Sequence, residues 1–420
     1  MELKPRGDEK IKQLVHKGVT IPNPLTLDIG EEVDIERISG DRVTIYPGCR
    51  IYGAKTVVAS GAQLGYEGPV TVENCQIGTK VELKGGYFKE AVFLEGANMG
   101  LAAHVREGCI LEEQAGGAHC VGLKQTILFP FVTLGSLINF CDCFMAGGTS
   151  RKNHSEVGSS YIHFNFTPSG DKTTPSLIGD VPRGVMLNRP AIFLGGQGGM
   201  VGPLRLGYGN VVAAGTILRQ DFKEENKLIV GKPHRGTVID FNPYAYPSLS
   251  HVVENNFFYL ANLMALEQWY LLVRRPFFGG QELGEFIYAG LLEKLTLAKK
   301  ERIKRLKDMA GKIAESLKRT GSKGQSGGGR QEFHENIERA CEVFSGKISA
   351  DAAGEYRDPF LTLFFNHKKD NDGSYLEVVK SLPPAVSEAG TLWLDKIILE
   401  LCRRVAVFFP SLDLFKKTIS

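Results

Sequence analysis

The stretch "LGGQGGMVGPLRLGYGNVVAAGTIL" limits the possible folds of this chain more than any other. Leu194, Met200, Leu206, Val212 and Leu218 follow one another in steps of six, with Gly, Ala, Asn or Thr between them. The same step joins Ile45, Ile51 and Val57, then Ile77 and Leu83, then Met99, Val105 and Leu111. A period of six matches neither a helix nor a simple strand alternation. It fits a triangular solenoid. Each hexapeptide is one flat side, each aliphatic residue points into the prism, and small residues turn the corners, where Gly tolerates positive φ. Three hexads make a coil of about 18 residues, and coils stack as parallel strands ~4.8 Å apart. Five hexads in unbroken phase argue against a Gly-rich β-sandwich. The expected fold is mainly β: a left-handed parallel β-helix, or hexapeptide-repeat solenoid, of about ten coils over residues 43–240. Residues 1–42 form a lead-in.

Past Asp240 the repeat fades, and "FNPYAYPSLS" is a turn-rich boundary. Residues 241–420 read as an α-helical C-terminal region. "HVVENNFFYLANLMALEQWYLLVRR" is long, apolar and Pro-free, which predicts a buried helix. Lys299, Ile303, Leu306, Ala310, Ile313 and Leu317 then alternate steps of four and three, the seam of a helix pair. Their Lys- and Arg-rich surroundings read as a solvated face. "RTGSKGQSGGGR", residues 319–330, has the composition of a flexible linker, and "HKKDNDGS" that of a loop. "YLEVVKSL" and "GTLWLDKIILELCRRVAVFF" read as further helices.

Composition excludes several function classes. Among 420 residues the formal net charge is only +3, which gives no reason to expect nucleic acid or an anionic membrane as partner. No apolar run is long enough for a membrane span, and the first residues lack a signal peptide's apolar core. The eight cysteines are scattered, as in reduced cytoplasmic proteins. Cys141 and Cys143 lack a second Cys/His pair at zinc spacing, so no metal site is expected.

One break in the repeat stands out. "HFNFTPSGDK", with "TTPSLIGD" after it, is a polar Gly/Pro-bearing loop between regular coils. From about Ala102 to Pro233 the chain resembles the acetyltransferase half of the bacterial bifunctional N-acetylglucosamine-1-phosphate uridyltransferase / glucosamine-1-phosphate acetyltransferase. "FLGGQGGMVGPLRLGYGNVVAAGTIL" resembles that family's last coils without a gap. "EVGSSYIHFNFTPSGDKTTPSLIGD" resembles its protruding loop, and "AHVREGCILEEQAGGAHCVGLK" the stretch that carries a sugar-phosphate Arg and Lys. No such resemblance extends over the helical region.

The resemblance assigns roles residue by residue. Arg106 and Lys124, 18 apart and so stacked one coil on the next, match the phosphate-binding pair. Arg can hold two phosphate oxygens and Lys adds a point charge. Asn165 matches an Asn that meets sugar and acetyl group, and Lys172 the loop Lys that reaches the sugar. Phe166 replaces a Tyr, and the loop is one residue longer than in the family. By leaning on the next subunit the loop would wall a pocket. On the acyl-donor side, Gly196 and Ala214 match positions whose backbone receives the pantetheine arm, which binds like an added strand. Ser159 matches another such contact, and Lys232 an Arg that meets the coenzyme's phosphates.

Two departures qualify this. The family's general base is a His. Counting back from Asn165 puts that position at Asp142, and alignment on "GSLINF" puts it near Phe140. Asp142 could serve if its pKa were raised, and His154 and His163 are the other candidates. In addition, too little chain precedes the hexads for the uridylyl-transferring domain, so no uridylyl transfer is expected. The resemblance therefore implies a cytoplasmic homotrimer that transfers an acyl group, expected to be acetyl from acetyl-CoA. The acceptor would be an amino-sugar phosphate or a sugar nucleotide, such as one related to UDP-N-acetylglucosamine, in cell-envelope precursor metabolism. The alternatives are a non-catalytic sugar-nucleotide-binding trimer or a structural scaffold.

Overall fold

The computed structural model describes residues 4–167, 169–231, 236, 238, 240, 245–320, 325–346 and 353–416. The hexad residues lie where the period puts them. Leu194, Met200, Leu206, Val212 and Leu218 are each no more than 2% exposed. Leu194 pairs with Val212 and Met200 with Leu218, one coil apart and parallel. Three parallel sheets of ten, eight and ten strands form the faces of a prism. We call the sheet from Asp28–Ile29 to Ile217–Leu218 the first face and that from Val57–Val58 to Arg205–Leu206 the second. The sheet from Thr44–Ile45 to Leu228–Ile229 is the third.

The prism starts earlier than residue 43. Asp28–Ile29 already pairs with Arg50–Ile51, and helix α1 (Asp8–Lys17) turns Ile11 and Leu14 inward. A 3-10 turn at Ile35–Arg37 lengthens this coil, so its interior residues escape a search for steps of six. In the next coil Val58, not Val57, pairs with Ile77 inside the prism, and Val57 lies opposite the outward Gln76. The corners hold larger residues than expected. Asn74, Glu90, Gln125 and Asp142 stack with Gly108 in one column, all at positive φ. A left-handed L-residue costs ~1–2 kcal/mol. Interlocking coil contacts, such as Gln125 N to Glu107 O at 3.0 Å and Asp142 N to Lys124 O at 3.0 Å, hold them there.

After the short helix α2 (Val181–Gly184), the remaining described helices follow the solenoid: α3 (Leu249–Trp269), α4 (Gly284–Thr320), α5 (Gln325–Ser345), α6 (Gly354–Asp370), α7 (Tyr375–Lys380) and α8 (Pro384–Ala406). Helices α3 and α4 cover the second face. Its strands Ala91–Phe93, Cys109–Leu111, Cys143–Met145 and Ser176–Ile178 are buried at every position, whereas Arg50–Tyr52 and Ala103–Val105 on the first face alternate. The seam of α4 is real: Leu306, Ala310 and Ile313 are 0%, 3% and 0% exposed. The stretch read as a flexible linker is described only in part. Arg319 and Thr320 end α4 and Gln325 opens α5, so of residues 319–330 only 321–324 lie outside the described residues. Glycine serves packing in that helix, because a Cβ on Gly329 would meet Leu412 Cδ2 at 2.7 Å.

An enclosed ion cluster joins the helical region to the prism. Arg274, 1% exposed, donates from Nη1 to Glu112 Oε2 at 3.0 Å and to Glu113 Oε2 at 3.2 Å. Its guanidinium lies over the Tyr375 ring at 3.8 Å, and the Tyr270 hydroxyl donates to Glu112. Burial pushes the Glu112 carboxyl up to about 7 against the pull of Arg274. An unfolded Glu titrates near ~4.3. The stability tied to neutral Glu112 is therefore full below that value and lost as pH rises through about 7. Glu112→Gln fixes the neutral form. Its urea midpoint should hold its low-pH value to pH 7–8, a gain on the order of 3 kcal/mol over wild type there. Superimposable midpoint-versus-pH curves for the two proteins would show that Glu112 does not titrate in this window.

Candidate functional site

The candidate residues sort by the edges of the prism. Edge one joins the first face to the second and carries the interrupting loop. Asn139 pairs with Ile162 and Cys143 with Ser176. These partners are four positions apart in the lower coil and fourteen in the upper, so the upper coil holds ten extra residues at this corner. The loop is thus a corner insertion, and Asp142 is the single residue that turns the same corner one coil below.

Asp142 is 6% exposed, and Arg302 of α4 donates from Nη2 to its Oδ1 at 2.7 Å. Burial pushes the carboxyl above its ordinary value, and Arg302 opposes the shift. The condition for a basic Asp142 is met in direction, but the group is enclosed. Arg302 also donates from Nη1 to Lys172 O at 3.2 Å. Asn256 Nδ2 of α3 donates to Thr173 O at 3.1 Å, and Lys312 Nζ donates to Ser169 O. The loop therefore rests on helices of its own chain. Asn165 is half-buried at the loop's start, and the Lys172 side chain is exposed at its end. Phe166 is 76% exposed.

Below the loop, Val105 pairs with Leu123, which stacks Arg106 against Lys124 as the spacing requires. They flank a groove of about 550 Å³ whose lining includes His104, Asn139, Cys141 and Ile162. Lys124 pairs with Cys141 one coil up, ~4.8 Å away, so the cations and the loop share this edge. The sequence reading missed Glu107. Lys124 Nζ is 2.8 Å from its Oε1, and Arg106 Nε is 3.5 Å from its Oε2. Burial raises the Glu107 carboxyl, and the Lys124 hydrogen bond with the Arg106 charge overrides this, leaving it below the usual carboxylate value. Its position beside Arg106 at a corner was the available signal. An incoming phosphate must displace this carboxylate from both cations.

Edge three joins the third face to the first and carries the donor candidates. Ser159, Gly196 and Ala214 stack in one column, with Gln197 N donating to Ser159 O at 2.8 Å and Gly215 N to Gly196 O at 3.0 Å. Their own amide hydrogens have no acceptor among the described residues. A Cβ on Gly196 would meet Ser159 O at 2.7 Å. The column offers exposed donors on a flat backbone, as a strand-like amide arm needs. Lys232 lies outside the described residues.

The two candidate histidines lie elsewhere. His154 sits on edge two, between the second and third faces, in a hairpin of Gly148–Ser150 with Asn153–His154. Its Nδ1 is 2.9 Å from Arg151 O and its Nε2 3.7 Å from Glu156 Oε2. His163 pairs with Met200 and points into the prism, 2% exposed, with Nε2 2.8 Å from Ser176 Oγ. Burial pulls its pKa down to about 4, so it is neutral near pH 7. The structure thus gathers Arg106, Lys124, Asn165 and Lys172 on one edge, with Asp142 sealed beneath. It separates them from Ser159, Gly196 and Ala214 by the width of the first face.

Fold and site define a hexapeptide-repeat β-solenoid with a cationic groove under a corner loop and a small-residue column on the next edge. No family model matches the chain. It is 28% identical over 213 residues to the bifunctional protein GlmU of Thermotoga maritima, covering 50% of this chain and 42% of that protein. It is 28% identical over 222 residues to the bifunctional protein GlmU of Trichlorobacter lovleyi, covering 53% and 43%. The same protein of Carboxydothermus hydrogenoformans is 27% identical over 216 residues, covering 51% and 43%. The chain thus spans less than half the length of these curated relatives. The parallel solenoid agrees with the acetyltransferase half of GlmU.

Two outcomes follow for edge one. Arg302→Met leaves the Asp142 carboxylate buried without its partner and should cost about 3–5 kcal/mol in urea unfolding. Asp142→Asn with Arg302→Met should recover much of that loss, and strictly additive losses would show that the two groups are not coupled. Arg106→Ala or Lys124→Ala should weaken a phosphorylated ligand by ~1.5–3 kcal/mol. Glu107→Gln should instead tighten it about tenfold, ~1.4 kcal/mol, by freeing both cations. Titration calorimetry at low salt reads both, and an unchanged Kd for Glu107→Gln would mean that Glu107 does not compete with the ligand.

Proposed function

We propose that the chain transfers an acyl group, acetyl from acetyl-CoA, to the amino group of a sugar phosphate or sugar nucleotide in cell-envelope precursor metabolism. The observation that carries this is the convergence on edge one of Arg106, Lys124, Asn165 and Lys172, within a region similar in sequence to GlmU. The two cations take the phosphate, and Asn165 and Lys172 take the sugar. Ser159, Gly196, Ala214 and Lys232 take the coenzyme. Because donor and acceptor edges lie on opposite sides of the first face, a second copy must bring its edge to complete each pocket, and we propose a homotrimer. A cytoplasmic location fits acetyl-CoA as co-substrate. Among the described residues, no helix is long and apolar enough to cross a membrane.

A second reading is a non-catalytic trimer that binds a sugar nucleotide. The closure of Asp142 by Arg302 favours it, since the position expected to hold the base is occupied by an ion pair.

Turnover separates the two. Purified protein with acetyl-CoA and glucosamine-1-phosphate should release free thiol, and each ligand alone should raise the melting temperature by mass action. Sedimentation should give a trimer. Ligand-induced stabilisation without thiol release from any acyl-CoA would favour the binding protein, and a monomer at micromolar concentration would remove the shared pocket.

A further inference from the structure

The column on edge three continues below Ser159. Ser136 lies one coil down, with its amide donating to Ser159 Oγ at 3.2 Å and its carbonyl accepting from Ser160 N at 2.8 Å. One coil further is His119, whose carbonyl accepts from Leu137 N at 3.1 Å and whose Nδ1 is 2.9 Å from Ser136 Oγ. Ala214, Gly196, Ser159, Ser136 and His119 therefore form one row. It runs across five coils, four steps of ~4.8 Å or ~19 Å in all. Small residues with free amides occupy one end, and a hydrogen-bonded Ser–His pair the other. The His119 side chain is exposed, and its Nε2 has no partner among the described residues.

His119 also stands between two grooves. Cys120, the next residue, lines the groove of about 550 Å³, at the rim opposite Lys124. His119 itself lines a second groove of about 370 Å³, with Gly100, Gly116 and Ala118 in its lining and Arg151 beside them. Of the histidines considered above, His163 is inside the prism and His154 is on edge two. Among the described residues, His119 is the histidine on the donor row.

We propose that His119 is the general base of the acyl transfer, a role that rests on the acyltransferase reading given above. Nδ1–H donates to Ser136 Oγ, which fixes the ring and leaves the Nε2 lone pair open. An acyl-CoA arm laid along Ala214, Gly196 and Ser159 brings its thioester to the Ser136 end of the row. The acceptor's neutral amine attacks the thioester carbonyl, and the C–N bond forms. Nε2 takes the proton that the nitrogen sheds. The C–S bond then breaks, and the imidazolium returns that proton to the leaving thiolate. Amine and thioester become amide and free thiol, with no other reactant.

The test uses the whole 420-residue chain and steady-state release of thiol from acetyl-CoA with glucosamine-1-phosphate. His119→Ala should lower kcat by about 10²–10⁴-fold, the usual contribution of a general base. The KM for acetyl-CoA should stay within a few-fold, and added imidazole should restore part of the rate. Ser136→Ala should lose less. Full turnover in His119→Ala, with Asp142→Asn or His154→Ala inactive, would overturn the assignment and leave the acyltransferase reading intact. Loss of rate without any imidazole rescue and with an equal loss of acetyl-CoA binding would assign His119 to binding instead. A wild type inert with every acyl-CoA would defeat both readings.

Discussion

Nearly every coil places an apolar side chain from each face in the prism's interior, and the rest of the molecule inherits its geometry from that rule. Burying one such side chain is worth ~1.5–3 kcal/mol. Pairs such as Leu194 with Val212 and Met200 with Leu218 repeat that gain in fixed register along the axis. A slip of one residue would turn these side chains outward and polar neighbours inward. Register is therefore rigid, and residues one coil apart must stack. The stacking of Arg106 on Lys124, and of Ser159 on Gly196 on Ala214, is a consequence of core packing before it is anything functional.

The second constraint is the helical layer on the second face. It turns one side of the solenoid into a closed interior, and closed interiors require paired charges. Buried ion clusters meet that demand, among them Arg274 with Glu112 and Glu113, and Arg302 with Asp142. The second lies directly beneath the corner loop. Arg302 thus neutralises a buried carboxylate and at the same time holds the loop's end through Lys172 O. Any sugar contact made by Asn165 and Lys172 depends on helices that follow the solenoid in sequence.

The legible parts of this architecture were those set by period. Hexads gave the three faces, the stacked cations and the small-residue column, because an interior with a six-residue step leaves a direct trace in sequence. What needed contacts between distant segments was not legible. Asp142 looks like an available carboxylate until Arg302, 160 positions away, is seen on it. His163 resembles a pocket residue only because a polar side chain at an interior hexad position breaks the aliphatic rule, and its partner Ser176 is across the loop. Composition also favours flexibility at Gly329, where the lack of a side chain instead makes room for Leu412. A usable signal did exist for the covered face. Its strands read as continuous apolar runs, as in "AVF", "CIL" and "CFM", while those of the first face alternate.

These constraints also explain why chemistry would divide between edges. Faces are flat and their backbone amides are spent on neighbouring coils, so a ligand can be gripped only where the chain turns. At edge one an insertion of ten residues supplies side chains and a wall. At edge three the turn stays tight, and small residues leave amide hydrogens free. At edge two the hairpin is tied inward, with Arg151 Nη1 donating to Phe131 O at 3.0 Å and to Thr133 Oγ1 at 2.9 Å, so it reinforces the corner. An acceptor with phosphate and hydroxyl groups needs the first kind of edge, and an amide-rich arm needs the second. A single prism holds both, but on opposite sides of one face. On the proposed reading a second copy brings them together, and the helices on the second face leave the first and third open to it.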